Sequence, residues 1–237
     1  MGVTSPVLRF GAAAAAVVAW FVVAPGLPYA GHWPSVVLVA FAVMPGTLLL
    51  VLLALPLWQL PLQRLVAATV VLAFVALGCS EAGWGLPANF AKFAAAVFAG
   101  WAFLKVFEEL SWVVLVACVV PLVDAVSVWR GPTHSITAHH PHVYAAVAVA
   151  FVLPGHSAAF LGPPDVLFYA LFLAAAARWH LRVGWTWIAT TGMYSLTVLI
   201  ASAVDVNGLP ALPFLSVGFL AANADLLWSR LRRPSAA

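Results

Sequence analysis

The stretch Val113-Val114-Leu115-Val116-Ala117-Cys118-Val119-Val120-Pro121-Leu122-Val123-Asp124-Ala125-Val126-Ser127-Val128 decides how the chain is read. With its flanks, from Leu110 to Trp129, it is long enough to cross a hydrocarbon layer of ~30 Å. Yet it carries an acid near its far end. A charged side chain at that depth costs about 3 kcal/mol or more, so intramembrane acids are rare and functional by default. A second acid, Asp165, opens the apolar run Val166–Ala177, and Pro210-Ala211-Leu212 starts the last apolar run. Two acids on neighbouring spans suggest a pair that activates water.

Composition sets the surroundings of that pair. The chain has 237 residues, 65% of them hydrophobic and 7% charged. Ordinary soluble proteins carry roughly 25% charged residues. The expectation is an all-α polytopic membrane protein, a single membrane-embedded domain over residues 1–237. Residues 1–105 supply N-terminal helices, and residues 109–237 carry both acids and the Pro-Ala-Leu tripeptide. No loop joins a basic cluster to exposed aromatics, so nucleic acid is excluded as a partner. Cys79 and Cys118 sit in apolar runs and read as small buried hydrophobes, without disulfide or metal spacing.

Apolar runs predict eight spans: Val7–Ala24, Ser35–Trp58, Leu65–Ala82, Ala88–Leu104, Leu110–Trp129, Leu161–Trp179, Trp185–Val204 and Leu209–Trp228. A ninth is added if Val143–Phe160 also crosses. Charge argues against the ninth. With eight spans and the N-terminus inside, Arg9, Arg64, Lys105, Arg178, Arg182, Arg230, Arg232 and Arg233 face the cytoplasm, leaving Lys92 and Arg130 outside. That asymmetry fits the positive-inside rule, and a ninth span weakens it. It also moves Asp165 to the membrane face opposite Asp124. Val143–Phe160 therefore reads as an extended or re-entrant segment, which membrane depth permits where protein or a water-filled cavity covers it. Both termini are then cytoplasmic. The first span is read as a retained helix, although Arg9, the alanine-rich run and the small residues near Tyr29-Ala30 also fit a cleaved signal peptide.

Two carboxyl groups sharing a site cannot both ionise cheaply, so one proton is held between them. That state suits peptide hydrolysis. The ionised partner takes a proton from water while the protonated partner polarises the scissile carbonyl. Asp124 lies shortly before Arg130, at the outer end of its span, and Asp165 at the outer start of the next. The same acids also suit a proton- or cation-coupled transporter, although no internal repeat of the kind many transporters show is evident. The residues alone leave protease and transporter both open.

The motifs resemble those of the presenilin and signal peptide peptidase family of intramembrane aspartyl proteases. The resemblance covers about Trp112 to Trp228. In that family one helix carries Tyr-Asp, the next opens with Gly-x-Gly-Asp, and the last begins with Pro-Ala-Leu. Here Val123-Asp124, Gly162-Pro163-Pro164-Asp165 and Pro210-Ala211-Leu212 stand in the same order on successive spans. The resemblance implies an endopeptidase of prokaryotic type, in the cytoplasmic membrane, with Asp124 and Asp165 catalytic and no cofactor or metal. Its substrates would be transmembrane helices or signal-peptide remnants within the lipid bilayer. Gly162, Pro210, Ala211 and Leu212 would help hold the substrate backbone. Val143–Val152, rich in β-branched residues, would pair as a strand with the unwound substrate. Two departures stand out. Val123 removes a hydroxyl beside the first acid, and Pro164 replaces the glycine before the second. Proline suits the first turn of a helix, so the helix start at Asp165 can survive. An inactive scaffold related to the family is the further alternative.

Other polar residues have plainer readings. His134, His139, His140 and His142 form a loop cluster that reads as solvated and pH-sensitive rather than metal-binding. Asp225 is expected to pair with Arg230, Arg232 or Arg233 at the cytoplasmic surface. Glu108 and Glu109 precede a helix, where acids complement the N-terminus.

Overall fold

The computed structural model describes residues 5–130, 146–155, 157–204 and 209–231. The histidine loop, Val143–Ala145, His156, Asp205, Asn207, Arg232 and Arg233 lie outside the described residues.

The chain is mostly helical. Helix α1 (Pro6–Val23) starts at Ser5, whose hydroxyl accepts the Leu8 N–H at 3.2 Å, with Pro6 in the first turn. Helices α2 (His32–Leu38) and α3 (Met44–Leu53) are joined end to end by a π turn, Val39–Val43. Pro45 explains the turn. It has no N–H to give, and its ring crowds the carbonyl four residues back. Widening the turn lets the Met44 N–H reach the Val39 carbonyl and leaves the Ala40 carbonyl without a helical donor. The Ser195 hydroxyl donates to that carbonyl instead. Helices α4 (Leu62–Glu81), α5 (Gly85–Leu104) and α6 (Leu110–Arg130) follow, then α7 (Pro163–Arg178), α8 (Val183–Val204) and α9 (Leu212–Leu231).

Among the described residues, six segments are long and apolar enough to cross a membrane: Pro6–Gly26, His32–Leu53, Leu62–Glu81, Leu110–Ser127, Val183–Val204 and Leu212–Arg230. Two of the eight expected spans fall short. Helix α7 has 16 residues, about 24 Å at 1.5 Å per residue, against a hydrocarbon thickness of ~30 Å. Helix α5 carries Asn89 and Lys92 in its first half. Both helices are largely covered by their neighbours. Every residue of α7 from Tyr169 to Ala176 is buried, with α5, α8 and α9 packed around it.

Between α6 and α7 lies an antiparallel hairpin, β1 (Val149–Leu153) and β2 (Ser157–Leu161), with Val149 opposite Leu161 and Leu153 opposite Ser157. The extended reading of this region therefore holds for Val149–Leu153 and Ser157–Leu161, and Leu161 closes β2 instead of opening a helix. The turn contains Gly155 at φ +74°, a conformation glycine adopts without strain. Its N–H donates to the Leu27 carbonyl at 2.9 Å, docking the hairpin on the loop after α1.

The expected partner of Asp225 is corrected. Asp225 takes a two-pronged ion pair from Arg182, at 2.8 and 2.6 Å, tying the start of α8 to α9. Arg230 instead donates to the Trp179 and His180 carbonyls. Asp225 lies on the α9 face turned toward the α7–α8 link, which sequence proximity to Arg230 does not reveal.

Candidate active site

Each acid is delivered by a helix, and each is tied to the start of one. Helix α7 begins with Gly162 as its cap and Pro163 and Pro164 in the first two positions, where their missing N–H groups cost nothing. Asp165 is the third helical residue. Its Oδ2 turns back to accept the Gly162 N–H at 3.0 Å, half of a capping box. Pro164 therefore preserves the helix start. It also lets the carboxyl fold back over the helix start onto the Gly162 N–H.

Asp124 comes from α6, one turn beyond Pro121, which breaks the helical ladder there. Its Oδ2 accepts the Leu212 N–H at 3.1 Å, across 88 residues of sequence. Pro210 and Ala211 are not helical. Leu212 opens α9, and its N–H is one of the donors that every helix start leaves unpaired. Pro210, Ala211 and Leu212 are all buried. The tripeptide therefore presents a backbone donor to the first acid.

Asp124 and Asp165 lie within electrostatic range of one another. Each commits one oxygen to a backbone N–H. The Oδ1 of each takes no hydrogen bond among the described residues. Neither carboxyl has a salt-bridge partner among the described side chains. All six candidate residues, Asp124, Gly162, Asp165, Pro210, Ala211 and Leu212, thus converge where α6, α7 and α9 meet.

Helix α8 adds a layer that motif reading overlooked. Its buried face carries Thr186, Thr190, Thr191, Tyr194, Ser195 and Thr197. Tyr194 Oη donates to the Asp165 backbone carbonyl at 2.7 Å. Its ring stacks on Tyr169 at 5.8 Å, and Tyr169 Oη shares a hydrogen bond of 2.8 Å with Thr191 Oγ1. Hydroxyls recurring at spacings of three and four in an apolar run are the signal that could have exposed this face. Further along, Asn223 of α9 is fully buried. It donates to the Thr186 hydroxyl at 2.8 Å and accepts the Arg182 N–H at 3.0 Å.

The hairpin edge also differs from expectation. Val143–Val152 was expected to offer a pairing edge, but β1 begins only at Val149 and its outer side is occupied. The Asn89 amide pairs with both backbone groups of Ala150, at 2.7 and 2.9 Å, and Trp20 Nε1 donates to the Val152 carbonyl at 3.0 Å. Asn89 thus acts as a one-residue neighbouring strand. In the observed register the outward groups of β2 belong to Ala158 and Phe160, and they have no partner among the described residues. The open edge is β2, which runs directly into Gly162.

No family model, curated protein or solved structure matches the chain.

Proposed function

We propose that the chain is an intramembrane aspartyl endopeptidase similar to the presenilin and signal peptide peptidase family. It hydrolyses peptide bonds of transmembrane helices or signal-peptide remnants, with Asp124 and Asp165 as the water-activating pair. One observation carries the reading. Two carboxyls from different helices lie within electrostatic range inside an apolar bundle, neither with a salt-bridge partner among the described side chains, and the Pro-Ala-Leu backbone donates to the first of them. An isolated structural acid has no need of a second acid beside it, since like charges at close range oppose folding.

In this reading the ionised acid removes a proton from water and the protonated acid donates to the scissile carbonyl. The helical substrate must first unwind, and pairing with the outward groups of Ala158 and Phe160 offsets part of that cost. Strand β2 ends at Leu161, so a paired chain is led toward Gly162 and Asp165. All eight helical rods, α5 and α7 included, cross the membrane of a prokaryotic cell in this reading, with both termini cytoplasmic.

The test is cleavage of a model transmembrane substrate by purified protein in liposomes, comparing wild type with Asp124→Ala and Asp165→Ala. The expected result is cleavage by wild type and a loss of at least ~10³-fold in each folded variant. Cleavage unaffected by either substitution rejects the dyad. If no variant cleaves and wild type carries a proton flux that Asp165→Ala abolishes, the acids belong to a transporter.

A further inference from the structure

The geometry points to Tyr194 as the residue that positions the second acid. This rests on the peptidase reading of the site. Asp165 is held at two places. Its carboxylate is tied to Gly162, and its backbone carbonyl receives the Tyr194 hydroxyl at 2.7 Å. The carbonyl of the third helical residue already has a helical donor available from Tyr169, one turn on. The phenol is therefore not needed to satisfy it, and the extra bond restrains the one turn that carries the acid.

Tyr194 is suited to that task. It is 1% exposed, so no solvent competes for the bond. Its ring stacks on the Tyr169 ring, a contact that a phenylalanine at position 169 would keep. The hydroxyl also lies within electrostatic range of both Asp165 and Asp124. Helix α8 is in turn anchored away from the acids, by Ser195 on the Ala40 carbonyl and Thr186 on Asn223. The acid's position thus refers to a rigid outer frame, as supporting shells do in preorganised sites.

The neighbouring tyrosine supplies a matched control. Tyr169→Phe removes a buried phenol hydroxyl from the same helix pair without touching the backbone of the acid. Kinetics in liposomes, normalised to monodisperse folded protein, should show Tyr194→Phe lowering kcat about ten-fold or more with KM little changed. Tyr169→Phe should change kcat less than about three-fold, although both variants lose similar thermal stability. Wild-type kcat in Tyr194→Phe, or equal losses in the two variants, assigns Tyr194 to packing and overturns the inference while leaving the dyad intact. Cleavage that persists in Asp165→Ala, or is absent from wild type, removes the peptidase reading and this inference with it.

Discussion

Gly100 is where the packing of helix α7 can be tested by a single methyl group. A Cβ built on Gly100 of α5 meets the Leu167 carbonyl oxygen of α7 at 2.2 Å and the Ala170 Cβ at 3.1 Å. Close carbon–oxygen approaches between helices settle near 3.3–3.6 Å, so Gly100→Ala requires a separation of roughly 1 Å. Neither contact atom belongs to a flexible side-chain end. One is backbone and the other a Cβ, so the helices themselves must part. Overpacking of that kind costs about 1–3 kcal/mol. Leu167 lies two residues from Asp165, and a misplacement of ~1 Å in a catalytic group can cost ~10²-fold in rate. Thermal unfolding and substrate cleavage should both be measured, with Gly78→Ala as control. Gly78 is also helical but has nothing within 4 Å of its built Cβ, so its substitution should be neutral or slightly stabilising. If Gly100→Ala melts and cleaves like wild type while Gly78→Ala does the same, the tight α5–α7 contact does not govern the site.

Other substitutions probe separate parts of the argument. Asn223→Leu removes the partner of the buried Thr186 hydroxyl and of the part-buried Arg182 N–H, and should lower stability by about 1–3 kcal/mol in a denaturation series. Gly155→Ala combines a positive φ with a built Cβ only 2.7 Å from Tyr29 Cβ. It should destabilise by about 1 kcal/mol or more, read as faster proteolysis at the hairpin turn. A turn as resistant as wild type counts against hairpin docking on the loop after α1. Ala158→Pro removes an outward donor of β2 without breaking a hydrogen bond to β1, as edge strands tolerate. With an edge bond worth about 1 kcal/mol, it should reduce cleavage of a helical substrate roughly five-fold. Unchanged cleavage by Ala158→Pro excludes strand pairing at that edge.

Composition and hydrophobic run length were enough to establish a helical membrane protein and to single out Asp124, Asp165 and Pro210-Ala211-Leu212. Those features are local, and a carboxylate in an apolar run is conspicuous without any structure. The arrangement around them was not legible. Lipid-facing and protein-facing sides are both apolar, so helix patterning did not show α7 as the enclosed centre of the bundle. The N–H that binds Asp124 belongs to a residue 88 positions away, and only folding brings it there. The open hairpin edge was likewise decided by tertiary contacts, because Asn89 and Trp20 occupy β1 and leave β2 exposed. Asp225 found Arg182 rather than its neighbours in sequence for the same reason. Which groups cross the membrane's apolar depth is set by residue chemistry along the chain. Which of them meet depends on how the helices pack, and hydropathy carries no record of that.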